Sequence, residues 1–304
     1  MIGPIAVIGA PSSIGIRPYD DGGARRLDLA PGVLREQDLV ARLGAADLGD
    51  VIPPQHYRDL VRPAGRGRNE EDVASYTRKV AERVAAATAT GRFVLLLGGD
   101  CSIMLGALLG IRQAGRSPAG LVYIDAHSDF ATLEESPSGS ACSMNLALAT
   151  GRSDTPLAHL NEGGPLVNSS NVVHVGSRDE TEPYGFEALR PAGVLPISQR
   201  AIEARGIDAA VAGALARVAE SEAGFWIHFD VDVLNPELMP AVDSPIPGGL
   251  DFQQAASLLA PLVRHPVALG LQITIYDPTI DPDGHGAGRL VELLERTLRD
   301  GTGR

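Results

Sequence analysis

The segment "YIDAHSDF" (123–130) sets Asp125, His127 and Asp129 at alternate positions, and "HFDVDVLNP" (228–236) repeats the arrangement with His228, Asp230 and Asp232. In an extended segment, residues i, i+2 and i+4 share one face, so each stretch gathers two carboxylates and an imidazole at close range. Carboxylates so crowded repel one another and resist joint ionisation unless a cation sits among them. One such cluster could be a solvated strand end. Two of them, each closing an apolar run, point to divalent metal. Two strands that each present alternate acids can hold a pair of ions with a bridging carboxylate, and paired ions acidify a bridging water until it is hydroxide near neutral pH.

A third element, "LLLGGDCSIML" (95–105), places Cys101 just after an apolar run and two glycines. Three chemistries are open to it. A nearby metal would depress its pKa and make it a thiolate ligand; it could pack beside the site as a small apolar residue; or it could act as a nucleophile, for which no motif supplies a partner.

The elements that must position these groups alternate along the chain. "IAVIGA" (5–10), "FVLLLGG" (93–99), "LVYIDA" (121–126), "VVHVGS" (172–177), "FWIHFDVDV" (225–233) and "VALGLQITI" (267–275) read as strands, several apolar on successive residues as in a parallel sheet covered on both faces. Helical patterns lie at 69–91, where Asn69 is the expected N-cap and Gly91 the stop, and at 206–224, 251–265 and 284–300. This β-then-α rhythm predicts a doubly wound or three-layer α/β fold. Residues 12–72 read as long loops and short helices of the same domain, so 1–304 is taken as one domain; a small separate domain at 12–72 is the alternative. In open parallel sheets ligands collect at the carboxyl ends of strands, where these acids fall.

Composition excludes other classes. A formal net charge of −12 leaves no basic face for nucleic acid or an anionic membrane. There is no apolar run of eighteen residues to span a bilayer, and no basic stretch before the first apolar run to make a signal peptide. Two cysteines are too few for a disulfide framework, which makes a reducing, cytoplasmic setting the expectation.

"GGDCS" (98–102), "DAHSD" (125–129) and "DVDVLNPELMPAVDSPIPGG" (230–249) together resemble, in order and spacing, the three motifs of the ureohydrolase family of arginases, agmatinases and their relatives, across roughly residues 93 to 280. The resemblance implies a three-layer α/β/α sandwich with a mainly parallel central sheet, two divalent ions (manganese in the family) and attack by a bridging hydroxide on the central carbon of a guanidine or amidine. It implies Asp125 and Asp230 as bridging ligands, Asp129 on the first ion and accepting a hydrogen bond from the hydroxide, and His127 and Asp232 on the second. It also implies a small-molecule substrate and a homo-oligomer, trimeric or hexameric.

The departures matter as much. Cys101 stands where the family has a histidine ligand, and a thiolate shifts preference from manganese toward zinc, cobalt, nickel or iron. His228, two residues before Asp230, is a catalytic candidate beside Asp129: a hydrogen bond to a ligand carboxylate is its expected role, with filling the coordination gap left by Cys101, or simple burial, as alternatives. In "SGSACS" (138–143) Ser138, a substrate-contacting candidate, and Gly139 match the family, while Cys142 takes the place of a proton-transferring histidine and Ser140 that of an asparagine. Ala131 replaces another asparagine; Asp179 and Ser244 resemble retained substrate-contacting positions. In "LQITIYDPTID" (271–281) Ile275 falls where a glutamate meets the substrate's guanidinium, and an apolar side chain cannot hold a buried cation.

The reading is therefore a two-metal hydrolase that cleaves a non-peptide C–N bond of a linear guanidine- or amidine-type molecule, a hydroxyguanidine or ureido compound fitting better than arginine. Asp129 would orient the nucleophile and take its proton. The competing reading is a catalytically impaired, metal-binding or regulatory member of the family. Amide deacetylation on a related fold would call for a pair of adjacent histidines, and the chain has none.

Overall fold

The computed structural model describes residues 2–54, 59, 61–117, 119–162, 164–179 and 185–299. Its strands are β1 (Ile5–Ala10), β2 (Ala46–Asp50), β3 (Phe93–Gly98), β4 (Gly120–Ile124), β5 (Val172–Val175), β6 (Leu195–Ile197), β7 (Phe225–Asp230) and β8 (Ala268–Thr274). They form one sheet in the order β2-β1-β3-β8-β7-β4-β5-β6, and every neighbouring pair is parallel. The helices are α1 (Ala30–Glu36), α2 (Leu39–Leu43), α3 (Glu70–Ala89), α4 (Ile103–Gln113), α5 (Asn145–Ala149), α6 (Phe186–Leu189), α7 (Gln199–Arg205), α8 (Ile207–Val218), α9 (Phe252–Val263) and α10 (His285–Leu298).

Alternation along the strands divides the core in two. On β3, Phe93, Leu95 and Leu97 pack with α1, α2, α8, α9 and α10, whereas Val94 and Leu96 pack with α3, α4 and α5. The sheet is thus the middle layer of an α/β/α sandwich, as the continuous apolar runs require.

Two strands lie outside the sequence expectation, and both are edges. β2 falls within the stretch read as loops and short helices; its residues, "ADLGD", are mostly exposed and carry no apolar pattern. β6 is three half-buried residues long. Asn69 does sit at the N-cap of α3, but in a left-handed conformation (φ 48°) with no capping bond. Its side chain instead accepts from the Asp59 amide at 2.8 Å and donates to the Ile14 carbonyl at 3.0 Å, tying two loops to the helix.

Candidate metal centre

The acids gather at the carboxyl edge of β3, β4, β7 and β8, at the floor of a cavity of about 490 Å³. They do so differently from the shared strand face foreseen for 125–129. β4 stops at Ile124, the next residues turn, and Asp129 sits at φ 46°. A non-glycine residue held in the left-handed region is costly and clusters at functional sites. Ser244 (φ 50°) and Ile275 (φ 69°) line the same cavity in the same unfavourable region, and for β-branched Ile275 it is a true outlier. On the second acidic segment His228 and Asp230 do share a face of β7, but Asp232 lies on a 3-10 turn (Val231–Val233) whose first amide bonds close on Asp230, Oδ1 accepting from the Asp232 amide at 3.0 Å.

Two sets of donor atoms converge, each within 4.8 Å of one another: Cys101, Asp125, His228 and Asp230 in one, Asp125, His127 and Asp232 in the other. Asp125 belongs to both. His127 Nδ1 lies 2.8 Å from Asp232 Oδ2 and 3.7 Å from Asp125 Oδ1. Asp129 stands apart from these sets, its Oδ2 accepting from the Tyr123 hydroxyl at 2.7 Å.

The electrostatics show what is missing among protein groups alone. Burial, and then Asp125, push Asp129 well above the usual carboxylate range. Burial, Asp232 and Asp125 do the same to Asp230, and burial with Asp125 raises Asp232. Burial also works against Asp125, but His127 and His228 outweigh it and hold that carboxyl low. Burial would depress His127, yet Asp232 and Asp125 reverse the sign and hold it well above its ordinary value. Four acids face too little positive charge, so three resist ionisation. Asp125 Oδ2 and His228 Nε2, both buried, have no hydrogen-bond partner. Crowded carboxylates with the His127 imidazole, and the shared Asp125 left with an unpartnered oxygen, fit a divalent cation.

Cys101 is buried, and its Sγ lies 3.1 Å from Asp230 Oδ2. Burial, with Cys142 and Asp230 adding, pushes its thiol well above the ordinary value. It is therefore a thiol donating to Asp230, and a metal would have to displace its proton. Cys142, raised to about 12 chiefly by burial, lies 3.5 Å from Asp100 Oδ1. Neither cysteine has the depressed pKa of a nucleophile.

Of the substrate-contacting candidates, Ser138 and Ser244 line the cavity, and Ser140 joins them with its buried hydroxyl unpartnered. Asp179 does not line it, and that expectation is corrected. It is fully buried, its Oδ2 accepting from the Ser128 amide at 2.7 Å and its Oδ1 from the Ser128 hydroxyl at 2.8 Å. Asp179 thus holds the 125–129 turn in shape. Its neighbour Arg178 does the same for the other acidic segment, donating to the carbonyls of Asp232 and Val233 at 2.7 and 2.9 Å.

Other contributors escaped the sequence reading. Asp100, beside Cys101, is a hub: Oδ2 accepts from Ser12 Oγ at 2.9 Å and the Gly15 amide at 3.1 Å, while Oδ1 accepts from the Ser102 amide at 3.0 Å. Tyr123 could have been found, because it precedes Asp125 by two residues as His228 precedes Asp230. The two are register partners on β4 and β7, with rings stacked 4.3 Å apart. Arg17, Arg25 and Arg68 line the cavity from segments with no motif.

Known proteins carry the same architecture. The family described as the arginase family matches residues 4–298. The arginase of Brevibacillus brevis is 28% identical over 297 residues, spanning 95% of this chain and 97% of its own length. The solved structure of arginase from Bacillus caldovelox superposes with a TM-score of 0.88 at 27% identity, covering 99% of this chain and 100% of that one. The formimidoylglutamase of Bacillus subtilis, 20% identical, shares the fold with a TM-score of 0.73 over 98% of this chain and 86% of its own. With a match over nearly its whole length, and with an eight-stranded parallel sheet that delivers the acids to one edge, the chain belongs to the arginase family.

Proposed function

We propose that the chain is a metal-dependent hydrolase that cleaves a C–N bond of a small, weakly basic amidine-type compound, a hydroxyguanidine or ureido group included. The observation that carries this reading is the pair of donor sets sharing Asp125 at the floor of the cavity. Cys101, Asp125 and Asp230 would hold one divalent ion, and Asp125, His127 and Asp232 a second. When bound there, divalent cations would acidify a water to give a nucleophile near neutral pH and polarise the substrate.

The chain's own groups do the rest. Asp129, its Oδ2 held by the Tyr123 hydroxyl and its backbone fixed in the left-handed region, presents its other oxygen as proton acceptor. Burial and Asp125 favour its protonated form among protein groups alone, so it would act as acceptor only with cations bound beside it, and would then return the proton to the leaving nitrogen. Ser138 and Ser244 offer hydroxyls to the substrate, and Ile275 presents an apolar wall where a cationic head would need a counter-charge. A guanidinium pressed against that wall would lose its hydration without repayment. A neutral head group would not.

The same reading takes the chain as a single domain acting as a cytoplasmic homo-oligomer, with manganese as the family's ion and zinc, cobalt, nickel or iron favoured to the extent that Cys101 ligates. Its test is a screen of manganese-, zinc-, cobalt- and nickel-loaded protein against arginine, simple guanidines, hydroxyguanidines, amidines and ureido compounds. Turnover of a weakly basic substrate with little or none of arginine supports it. Efficient arginine hydrolysis contradicts the substrate class, and inactivity with every metal and compound leaves the regulatory reading.

A further inference from the structure

His228 sits among candidate ligands, yet the groups behind it decide what it can offer. β7 and β8 run in register, pairing Trp226 with Gly270 and His228 with Gln272. Gly270 has no side chain, and the space is filled by the Trp226 indole: a Cβ there would lie 2.4 Å from the ring. So seated, Trp226 Nε1 donates to Gln272 Oε1 at 2.9 Å, and Gln272 Nε2 lies 2.8 Å from His228 Nδ1. All three side chains are fully buried, and the stack on Tyr123 fixes the imidazole plane.

The direction of this chain is forced. An indole N–H can only donate, so the atom of Gln272 facing Trp226 must be the oxygen and the atom facing His228 must be the NH₂ group. His228 Nδ1 must then accept. A neutral imidazole that accepts at one nitrogen carries its proton on the other. Nε2 is the nitrogen that faces the centre, 3.6 Å from Asp125 Oδ2 and so just beyond hydrogen-bond reach, and neither atom has a partner.

We propose that Trp226 and Gln272 lock His228 as its Nε2–H tautomer, so that it presents a proton toward Asp125 as a positioning residue and is not a metal ligand. Metal-binding imidazoles show the reverse arrangement, with the distal nitrogen donating to a carbonyl or carboxylate. On the metal-site reading given above, His228 therefore does not fill the gap left by Cys101. It steers the shared carboxylate instead.

The test is long-range proton–nitrogen correlation NMR on ¹⁵N-histidine-labelled protein, metal-free and zinc-loaded, with zinc content measured on the same samples. The chain has seven histidines, so His228→Gln identifies the signal by subtraction. The expected result is an Nε2–H pattern for His228 in both states. An Nδ1–H pattern in the metal-free protein, or a zinc-bound Nε2 in the loaded one, overturns the proposal. Gln272→Glu supplies a check that does not depend on His228→Gln folding: a carboxylate can accept from both neighbours, so the proton should move to Nδ1 and free Nε2, raising zinc affinity about ten-fold or more. An unchanged tautomer in that variant equally overturns it. Zinc content near zero with the Nε2–H pattern intact would sink the metal reading alone.

Discussion

Ile275 and Cys101 decide between chemistries at the level of single side chains. Ile275 is buried at φ 69°, a conformation that costs a β-branched residue about 1–3 kcal/mol, so its side chain is held where it is by the surroundings. Replacing it by glutamate relieves the branching and supplies a counter-charge. A charged hydrogen bond contributes about 1.5–3 kcal/mol, so Ile275→Glu should raise kcat/KM for a guanidinium substrate roughly ten- to hundred-fold relative to a neutral one. A ratio that does not move in steady-state assays would show that position 275 does not face the reacting head group. Cys101 is a thiol whose proton must leave before a metal binds, and it is a poor partner for manganese. Cys101→His should tighten manganese binding by about ten-fold or more in equilibrium dialysis and leave zinc much less changed. Equal effects on both ions would argue that the side chain at 101 does not touch them.

At the level of elements, the site depends on three turns that follow strands and on the braces between them. The turn after β3 approaches the N-terminal loop so closely that a Cβ on Gly99 would lie 2.3 Å from the Ser12 carbonyl oxygen. The Ile275 amide closes the other side, donating to the Gly99 carbonyl at 3.0 Å. Gly99→Ala should therefore cost about 1–3 kcal/mol of stability by overpacking and misplace Cys101 and Ile275 together. Thermal melts and metal titration on that variant would show a loss in both; full metal affinity with wild-type stability would refute the coupling. The strands carrying the acids were legible because buried parallel strands are continuously apolar and here end in, or just before, acidic residues. The edges β2 and β6 were not, since an exposed five-residue edge and a three-residue one carry no periodicity. The candidates at 125, 127, 230 and 232 stood out in the sequence by spacing, although their convergence comes from a left-handed turn at Asp129 and a 3-10 turn at Asp232 that alternation does not foresee. The roles of Asp179, Arg178, Gln272 and Trp226 were hidden because each acts through a neighbour distant in sequence.

For the whole molecule, an acidic centre inside an acidic chain ties stability to pH and metal together. Asp129, Asp230 and Asp232 have native values raised above those of the unfolded chain, and His127 is raised as well. A group raised in the native state lends stability that is full below its unfolded value and is lost as pH climbs through its native value. For the three acids that loss begins above about pH 4, the ordinary carboxylate value, and for His127 above its ordinary value near 6.5. Asp125 is shifted the other way, so its contribution is present throughout that window and falls only in stronger acid. Metal-free protein should thus lose melting temperature from mildly acidic to mildly alkaline pH, and the increment from added zinc or manganese should grow over the same range as ligands deprotonate. A metal increment independent of pH would contradict this electrostatic account. Among the described residues no helix is long and apolar enough to cross a membrane.

Asp125 belongs to both donor sets, so it is the residue on which the whole site turns. Equilibrium dialysis of wild type and Asp125→Asn against zinc or manganese, with metal counted per chain, addresses that directly. The prediction is about two equivalents for wild type and a loss of affinity at both positions together in the variant, with the fold intact by circular dichroism. Wild-type protein that retains no ion, or a variant that binds as wild type does, would contradict it.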